Sequence, residues 1–188
     1  MDKARELNSL HRRIVRCIRC PLHESRRHAV PGEGDAHAAL MLVGEAPGEQ
    51  EDLQGRPFCG RAGRFLDRLL EEVGLERPEI FITSTVKCRP PDNRNPRKPE
   101  SDTCRDLWLE RQVALIDPKV VGIMGKVAAE AILGEKGNLR DLHGRRFDRD
   151  GRVYLVTYHP AAAMRFPERD QEFRYAVQEL RHKIKHNK

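Results

Sequence analysis

The chain has 188 residues, of which 38% are hydrophobic and 34% are charged, and its formal net charge is +6. This composition argues against a disordered chain, and no apolar run approaches the ~18 residues of a membrane-spanning helix. We therefore expect one compact domain over residues 1–188, without a membrane segment and located inside the cell. The positive charge suits a nucleic-acid partner and a well-solvated surface about equally.

Strand and helix patterns alternate along the chain. A charged amphipathic helix opens it before Cys17, and another closes it from about Glu168. Four short apolar runs predict strands at Ala39–Val43, Ile80–Thr83, Lys119–Met124 and Val153–Thr157. Helical patterns between them end at Gly74, before Pro118 and at Gly134. This order predicts an α/β fold, with a parallel sheet of four strands covered by helices on both faces.

Three of the four predicted strands lead directly into unusual peptides. These read G-E-A-P-G-E-Q-E-D, T-S-T-V-K-C-R-P-P and T-Y-H-P-A-A-A-M-R. In open α/β sheets, ligands bind beyond the carboxyl ends of the strands, where such peptides would converge. The sequence therefore predicts one site built from all three.

The first and third peptides carry candidate binding and catalytic groups. Gly44–Gly48 predicts a tight turn whose backbone amides face a ligand, and the carboxylates that follow could point at a polar substrate or simply begin a helix. Phe58 could stack on a planar ring or serve as a core anchor. A lone histidine is more often structural or surface-exposed, but His159 ends a strand and precedes a proline, so it could donate a hydrogen bond to a leaving group.

Four cysteines have the spacing of metal ligands. Cys17 and Cys20 form a C-x2-C pair, and Cys88 and Cys104 flank a loop rich in proline and arginine. Four thiolates bind either a structural zinc or an iron–sulfur cluster, and a reducing compartment disfavours a disulfide. The fifth cysteine, Cys59, has no spacing partner, and we expect it to be a small buried residue.

Two basic segments are candidate DNA contacts. Arg89 and Arg94 lie in the loop between the second pair of cysteines, which a metal would make rigid and suited to gripping phosphates. Met164 and Arg165 follow the His159 peptide and could enter a minor groove as an apolar wedge backed by a cation, unless they only begin a helix.

Together these motifs resemble the family 4 uracil-DNA glycosylases, which contain an iron–sulfur cluster. The resemblance rests on G-E-A-P-G-E-Q-E-D, G-R-P-F-C-G-R-A-G, T-V-K-C-R-P-P and T-Y-H-P-A, and it runs from about Cys17 to Arg165. It implies a three-layer αβα sandwich with a central four-stranded parallel sheet. It also implies a [4Fe–4S] cluster on the four cysteines, and a monomer that acts in the cytoplasm on uracil-containing DNA at the bacterial or archaeal nucleoid.

The resemblance also implies roles for individual residues. Glu45 and Ala46 would line the uracil pocket, and Ala46 stands where better-known uracil glycosylases have an aspartate that activates water. Glu51 would lie near C5 of the base and exclude a thymine methyl group, and Phe58 would stack on the base. His159 would stabilise the departing uracil anion at O2.

One position departs from the family pattern. The family reads T-N-x-V-K-C, whereas this chain has Ser84 in place of the asparagine that pairs with the edge of uracil. Serine offers a single hydroxyl where the amide offers a donor and an acceptor, so we expect weaker or relaxed base selection. Besides a uracil-DNA glycosylase, a non-catalytic binder of damaged or single-stranded DNA therefore stays open. The cysteines alone would also allow an iron–sulfur redox protein.

Overall fold

The computed structural model describes residues 2–186, with side chains described to residue 184. Its single sheet has the strand order β1-β3-β2-β4-β6-β5. The strands are β1 Glu33–Gly34, β2 Leu40–Gly44, β3 Phe81–Ser84, β4 Val120–Met124, β5 Arg146–Arg149 and β6 Arg152–Thr157.

The four predicted strands form the parallel centre of this sheet. β3, β2, β4 and β6 pair in parallel, and each lies within one residue of its predicted bounds. The predicted sheet has four strands, whereas the observed sheet has six, because β1 and β5 add antiparallel strands at its two edges. β1 has only two residues and β5 is largely exposed, so neither has the buried apolar run by which a strand is recognised.

Helices cover the sheet and connect its strands. The longer ones are α1 Lys3–Val15, α4 Arg61–Glu72, α5 Lys98–Cys104, α6 Glu110–Ile116, α7 Lys126–Leu133 and α10 Pro167–His186. The shorter ones are α2 Leu22–Ser25, α3 Glu49–Gln54, α8 Leu139–Leu142 and α9 Pro160–Arg165. No helix in the described part of the chain combines the length and the apolar character needed to cross a membrane.

Alternate residues of each parallel strand face two different hydrophobic layers. In β2, Leu40 and Leu42 pack into a cluster with residues of α4 and α10, whereas Met41 and Val43 pack into a second cluster with residues of α1, α6 and α7. Side chains of a strand point to opposite faces in alternation, so this split shows a sheet buried between two helical layers. The sequence prediction of helices on both faces is confirmed.

The predicted helix between Pro99 and Pro118 is interrupted. A π-helical turn at Arg105–Leu109 separates α5 from α6, directly after Cys104. Such a turn inserts an extra residue into the helix and is often found at functional sites. Here it begins beside a predicted metal ligand and carries Trp108, whose indole N–H donates to Sγ of Cys17 at 3.3 Å.

Candidate functional site

The carboxyl ends of the parallel strands form the centre of the candidate site. Gly44 at the end of β2 pairs with Ser84 at the end of β3. His159 lies two residues beyond β6, and its ring centroid is 5.5 Å from that of Phe58. The structure therefore brings together the three peptides that the sequence predicted to converge.

Phe58 is held in an unusual backbone conformation at this site. Its φ is +48°, and its side chain is buried against the core. A Cβ on Gly63 would lie 1.7 Å from the Phe58 carbonyl oxygen, and a Cβ on Gly44 would lie 2.6 Å from its ring. Because side chains at these two glycines would collide with Phe58, both glycines are required for its position.

The carboxylate of Glu51 ties together the loops on either side of α3. Its Oε1 accepts the backbone N–H groups of Cys59 and Gly60, both at 2.9 Å, and its Oε2 accepts that of Gly48 at 3.1 Å. These bonds fix the loop that carries Phe58 to the turn that follows β2. The family role near C5 of the base is not tested by these contacts, and it stays a prediction alongside this structural role.

The surroundings of His159 favour a neutral ring that can donate a hydrogen bond from Nε2. It is the N-cap residue of α9, and its Nδ1 accepts the backbone N–H of Ala161 at 3.2 Å. Since Nδ1 is an acceptor, the neutral ring carries its proton on Nε2. Burial lowers the pKa of His159 to about 4, although the nearby negative charge of Glu51 acts in the opposite direction.

Ser84 lies buried at the end of β3, above a buried lysine. Its backbone oxygen accepts a hydrogen bond from Nζ of Lys87 at 2.7 Å, and the same ammonium donates to Oγ1 of Thr83 at 2.6 Å. Lys87 is fully buried, and desolvation lowers its pKa to about 8. The sequence analysis assigned no role to Lys87, although a lysine three residues beyond the end of β3, in an otherwise uncharged peptide, was a signal for one.

Glu45 and Ala46 follow β2 at the same edge of the sheet. Glu45 is half-buried, and desolvation raises the pKa of its carboxyl group above the usual range. Its backbone oxygen accepts the N–H of Val86 at 3.2 Å, so the pairing of β2 with β3 continues into this turn. Ala46 packs against the hydrophobic cluster that contains the cysteines. Contacts of these two residues with a base stay predictions.

The four predicted metal ligands line one small cavity. Cys88 and Cys104 are buried and Cys17 and Cys20 are partly exposed, and all four are free thiols. In the described part of the chain, no group of three or more His, Cys, Asp or Glu side chains is arranged to hold a single metal ion. The cavity brings together cysteines that are far apart in sequence, which is what a shared ligand set requires.

Two N–H donors and one cation around this cavity favour negatively charged sulfur, whereas burial opposes it. Nη1 of Arg26 donates to Sγ of Cys88 at 2.9 Å, and the indole N–H of Trp108 donates to Cys17. The ammonium of Lys87 also favours a negative charge on Cys104, although burial raises the pKa of that thiol to about 12. Four thiolates here would therefore need a cationic centre, such as a metal, to balance their charge.

The predicted DNA contacts have different surroundings. Nε of Arg89 donates to the Asn93 side chain at 2.8 Å, whereas Arg94 forms a two-bond ion pair with the buried carboxylate of Glu100. A phosphate contact from Arg94 would compete with this pair. Met164 and Arg165 are exposed on the short helix α9, so both are accessible at the rim of the site.

Two residues near the pocket differ from expectation. Cys59 is half-buried rather than buried, and it lies beside Glu51, whose charge helps to raise the pKa of the thiol. Asp52 had no individual role, yet its buried carboxylate accepts the backbone N–H groups of Arg27 and His28. The spacing between Asp52 and these partners gives no local pattern from which the contact could be predicted.

Comparison with known proteins agrees with this geometry. The family model described as "Uracil DNA glycosylase superfamily" matches residues 31–181. The chain belongs to this superfamily. It is 40% identical to the type-4 uracil-DNA glycosylase of Pyrobaculum aerophilum over 178 residues, which covers 89% of each chain. It is also 39% identical to the type-4 enzyme of Archaeoglobus fulgidus, covering 89% of this chain and 87% of the relative.

A third relative extends this similarity to another organism. The type-4 uracil-DNA glycosylase of Thermotoga maritima is 39% identical, with 89% of this chain and 86% of the relative covered. The resemblance to family 4 is thus confirmed over most of the chain. Because the chain belongs to this superfamily, the region at the carboxyl ends of the strands that contains Phe58, Ser84 and His159 is the candidate base pocket.

We expect Glu51→Gln to loosen the loop that carries Phe58. The amide keeps only one acceptor oxygen, and hydrogen bonds to charged groups contribute about 1.5–3 kcal/mol each. Hydrogen exchange of the Cys59 and Gly60 amides, measured by NMR, should therefore accelerate about ten-fold or more. Glu49→Gln on the exposed face of the same helix is the control. Unchanged exchange in Glu51→Gln would contradict the role of Glu51 as the tie.

Proposed function

We propose that the protein removes uracil from DNA by hydrolysing the N-glycosidic bond and leaving an abasic site. The observation that carries this proposal is the neutral His159 beside Phe58, in a chain of the uracil DNA glycosylase superfamily. The relatives are named as glycosylases, which favours a catalytic protein over the non-catalytic DNA binder. DNA containing uracil is the proposed partner, and the protein would act as a monomer in the cytoplasm, at the nucleoid.

The base would enter the pocket after leaving the DNA stack. Flipping costs a few kcal/mol and is easiest at a mismatch or in a single strand, so uracil opposite guanine should be preferred to uracil opposite adenine. Phe58 is fixed by Gly44, Gly63 and the Glu51 loop before any base arrives. A preformed aromatic face loses little side-chain freedom on binding, so it is well suited to stacking on the base.

His159 would act on the leaving group. As the bond between C1′ of the sugar and N1 of uracil breaks, its electron pair leaves with the base and negative charge develops on the uracil oxygens. The N–H at Nε2 of His159 would stabilise this charge at O2 by a hydrogen bond. A neutral donor gives this stabilisation without first having to take up a proton, because the low pKa keeps the ring uncharged.

Water would complete the reaction at the sugar. The positively charged sugar takes up the water oxygen at C1′, and the proton released by the water balances the negative charge of the base. Ala46 offers no carboxylate to activate this water. Catalysis would therefore depend mainly on stabilising the separated charges, which is often the largest single contribution in enzymes.

Ser84 would read the edge of the base. It is buried at the end of β3, and its Oγ lies 3.6 Å from the position of a Cβ on Gly44, close to the ring of Phe58. A hydroxyl rotates and can donate or accept one hydrogen bond, so it discriminates less than an asparagine amide. Uracil would be the main substrate, and other deaminated bases are the most direct candidates for additional substrates.

We also propose that Cys17, Cys20, Cys88 and Cys104 hold a [4Fe–4S] cluster. Support comes from their shared cavity, the N–H donors of Arg26 and Trp108, and the type-4 relatives. When bound, such a cluster would supply structural cross-linking rather than a step of the hydrolysis. The cysteines then join the N-terminal segment, the end of β3 and the helix α5.

We expect His159→Ala to slow uracil release about 10²-fold or more, because loss of one donor to a developing anion costs this much in other enzymes. The measurement is single-turnover release from a uracil-containing duplex with enzyme in excess. Binding of the same duplex should change much less than the rate. His37→Ala, at an exposed position, is the control. Equal losses in binding and rate would contradict a role for His159 in the chemical step.

The pH dependence of the same reaction checks the charge on His159. Its folded pKa lies below the ordinary value of 6.5, so the ring stays neutral above about pH 4 and takes up a proton only below it. The single-turnover rate should therefore show no step due to this histidine between about pH 5 and pH 8. A step near the ordinary value that disappears in His159→Ala would contradict the neutral-donor mechanism.

We expect Ser84→Asn to speed uracil release roughly ten-fold, the effect of about 1.4 kcal/mol, by restoring a two-bond contact to the base edge. In a panel of duplexes with uracil, hypoxanthine, xanthine and mismatched thymine, the variant should also prefer uracil over the other three bases more strongly than the unmodified protein does. Ser101→Asn, at a buried serine on α5, is the control for added volume. No gain with uracil would mean that this pocket reads its base through other groups.

Protein purified without oxygen should be brown, with broad absorbance near ~400 nm from the iron–sulfur centre. Cys104→Ser should lose most of this absorbance and lower the unfolding temperature, because the buried thiol joins α5 to the cavity. Cys59→Ser is the matched control, since Cys59 is not among the four cavity cysteines. Zinc in stoichiometric amount without the absorbance would contradict the cluster.

A further inference from the structure

The N-terminal segment carries a dense set of arginines that the proposed chemistry does not use. Between residues 7 and 32 the sequence holds six arginines and a single acidic residue, Glu24. Five of these arginines are exposed, and we call them the N-terminal arginine surface: Arg12, Arg13, Arg16, Arg19 and Arg27. One carboxylate can balance only one of these six positive charges, so this segment carries a local excess of positive charge.

The members of this surface also lack acidic ion-pair partners among the described residues. Ion pairs elsewhere engage the arginines at positions 56, 77, 94, 105, 145, 146, 152 and 174, but no ion pair between described residues includes a member of the N-terminal arginine surface. Arginines that are not needed internally remain available for an external anion. A guanidinium binds phosphate oxygens with two parallel hydrogen bonds, which makes phosphate a fitting partner.

The surface is held in place by the cysteine cavity. Arg19 lines that cavity, and the guanidinium of Arg13 lies 5.7 Å from the centre of the Trp108 ring. Arg26, the sixth arginine, joins Cys88 to the end of α1 through its bond to the backbone oxygen of Val15 at 3.0 Å. These contacts connect the segment around Cys17 and Cys20 to the body of the protein, so its arginines are presented on a supported surface.

The same surface is also connected to the base pocket. The Asp52 carboxylate accepts the backbone N–H of Arg27 at 2.9 Å, and Nδ1 of His28 lies 2.9 Å from the Asp52 backbone oxygen. Asp52 is the neighbour of Glu51 on α3, and Glu51 fixes the loop that carries Phe58. Arg27 is therefore connected through Asp52 to α3, the helix that also carries Glu51.

We propose that the N-terminal arginine surface binds the phosphate backbone of the DNA strands that flank the flipped nucleotide. This proposal rests on the proposed function for the identity of the DNA, and it adds a binding surface distinct from the Arg89–Arg94 loop and from Met164 and Arg165. The contacts are with phosphate and carry no sequence information, so they hold undamaged and uracil-containing DNA alike.

The salt dependence of DNA binding tests this directly. Each phosphate contact contributes about 0.9 to the slope of log K against log salt concentration. For the double variant Arg16→Gln/Arg19→Gln, the slope for a short undamaged duplex should fall by about 1.8 between about 50 and 200 mM salt. Lys119→Gln/Lys136→Gln removes two exposed positive charges elsewhere, and it should leave the slope nearly unchanged.

Further variants separate charge from folding. Arg16→Lys/Arg19→Lys keeps both charges and should keep the slope, and Arg27→Gln alone should lower it by about 0.9. Absorbance near ~400 nm and the unfolding temperature of each variant show whether the cysteine cavity is intact. Slopes equal to that of the unmodified protein in both glutamine variants would overturn the proposal, and so would an equal fall in the Lys119/Lys136 control.

The outcome is independent of the glycosylase activity. Uracil release at sub-saturating enzyme should slow in Arg16→Gln/Arg19→Gln in step with the weaker DNA binding, because the surface contributes binding and not chemistry. Absence of uracil release from the unmodified protein would contradict the proposed function, while the slope on undamaged DNA would still decide the role of the arginines. An acidic protein as the true partner would appear as unchanged DNA slopes.

Discussion

The hydrogen bonds of the Glu51 carboxylate determine how the pocket is assembled. A carboxylate that accepts three backbone N–H groups joins two separate segments of the chain, the turn at Gly48 and the loop at Cys59 and Gly60. All three donors belong to the backbone, so these bonds hold the main chain of the loop and not merely one of its side chains. This one side chain thus fixes the loop that carries Phe58, and its charge also acts on His159, whose pKa is lowered mainly by burial.

A second buried charge performs a similar task at the end of β3. The ammonium of Lys87 is surrounded by protein, and it holds the backbone oxygen of Ser84 and the hydroxyl of Thr83. That hydroxyl in turn donates to the backbone oxygen of Pro31 at 2.8 Å, so the network reaches the loop before β1. Lys87 also lines the cysteine cavity, which places one cation between the proposed cluster and the proposed base-reading residue.

The sequence predicted those features that depend on local pattern. The four buried strands, the helices between them and the convergence of three peptides followed from hydrophobic periodicity and from the rule that ligands bind at strand ends. The antiparallel edge strands were not predictable, because two residues at β1 carry no periodicity. The contacts of Glu51, Asp52 and Lys87 were also not predictable, since each joins polar groups whose partners are chosen by the tertiary fold.

The edge strands have a consequence for contacts between copies of this protein. An uncovered outer strand of a sheet presents free backbone groups that can pair with another chain and start aggregation. Here β1 covers part of β3, and a side chain at Gly34 would collide with the backbone oxygen of Ile80 at 1.8 Å. At the opposite edge, β5 carries the charged residues Arg146, Asp148 and Arg149. The short strand at one edge and the charged strand at the other therefore disfavour pairing between the sheets of two copies, which would keep the proposed DNA-bound proteins from aggregating.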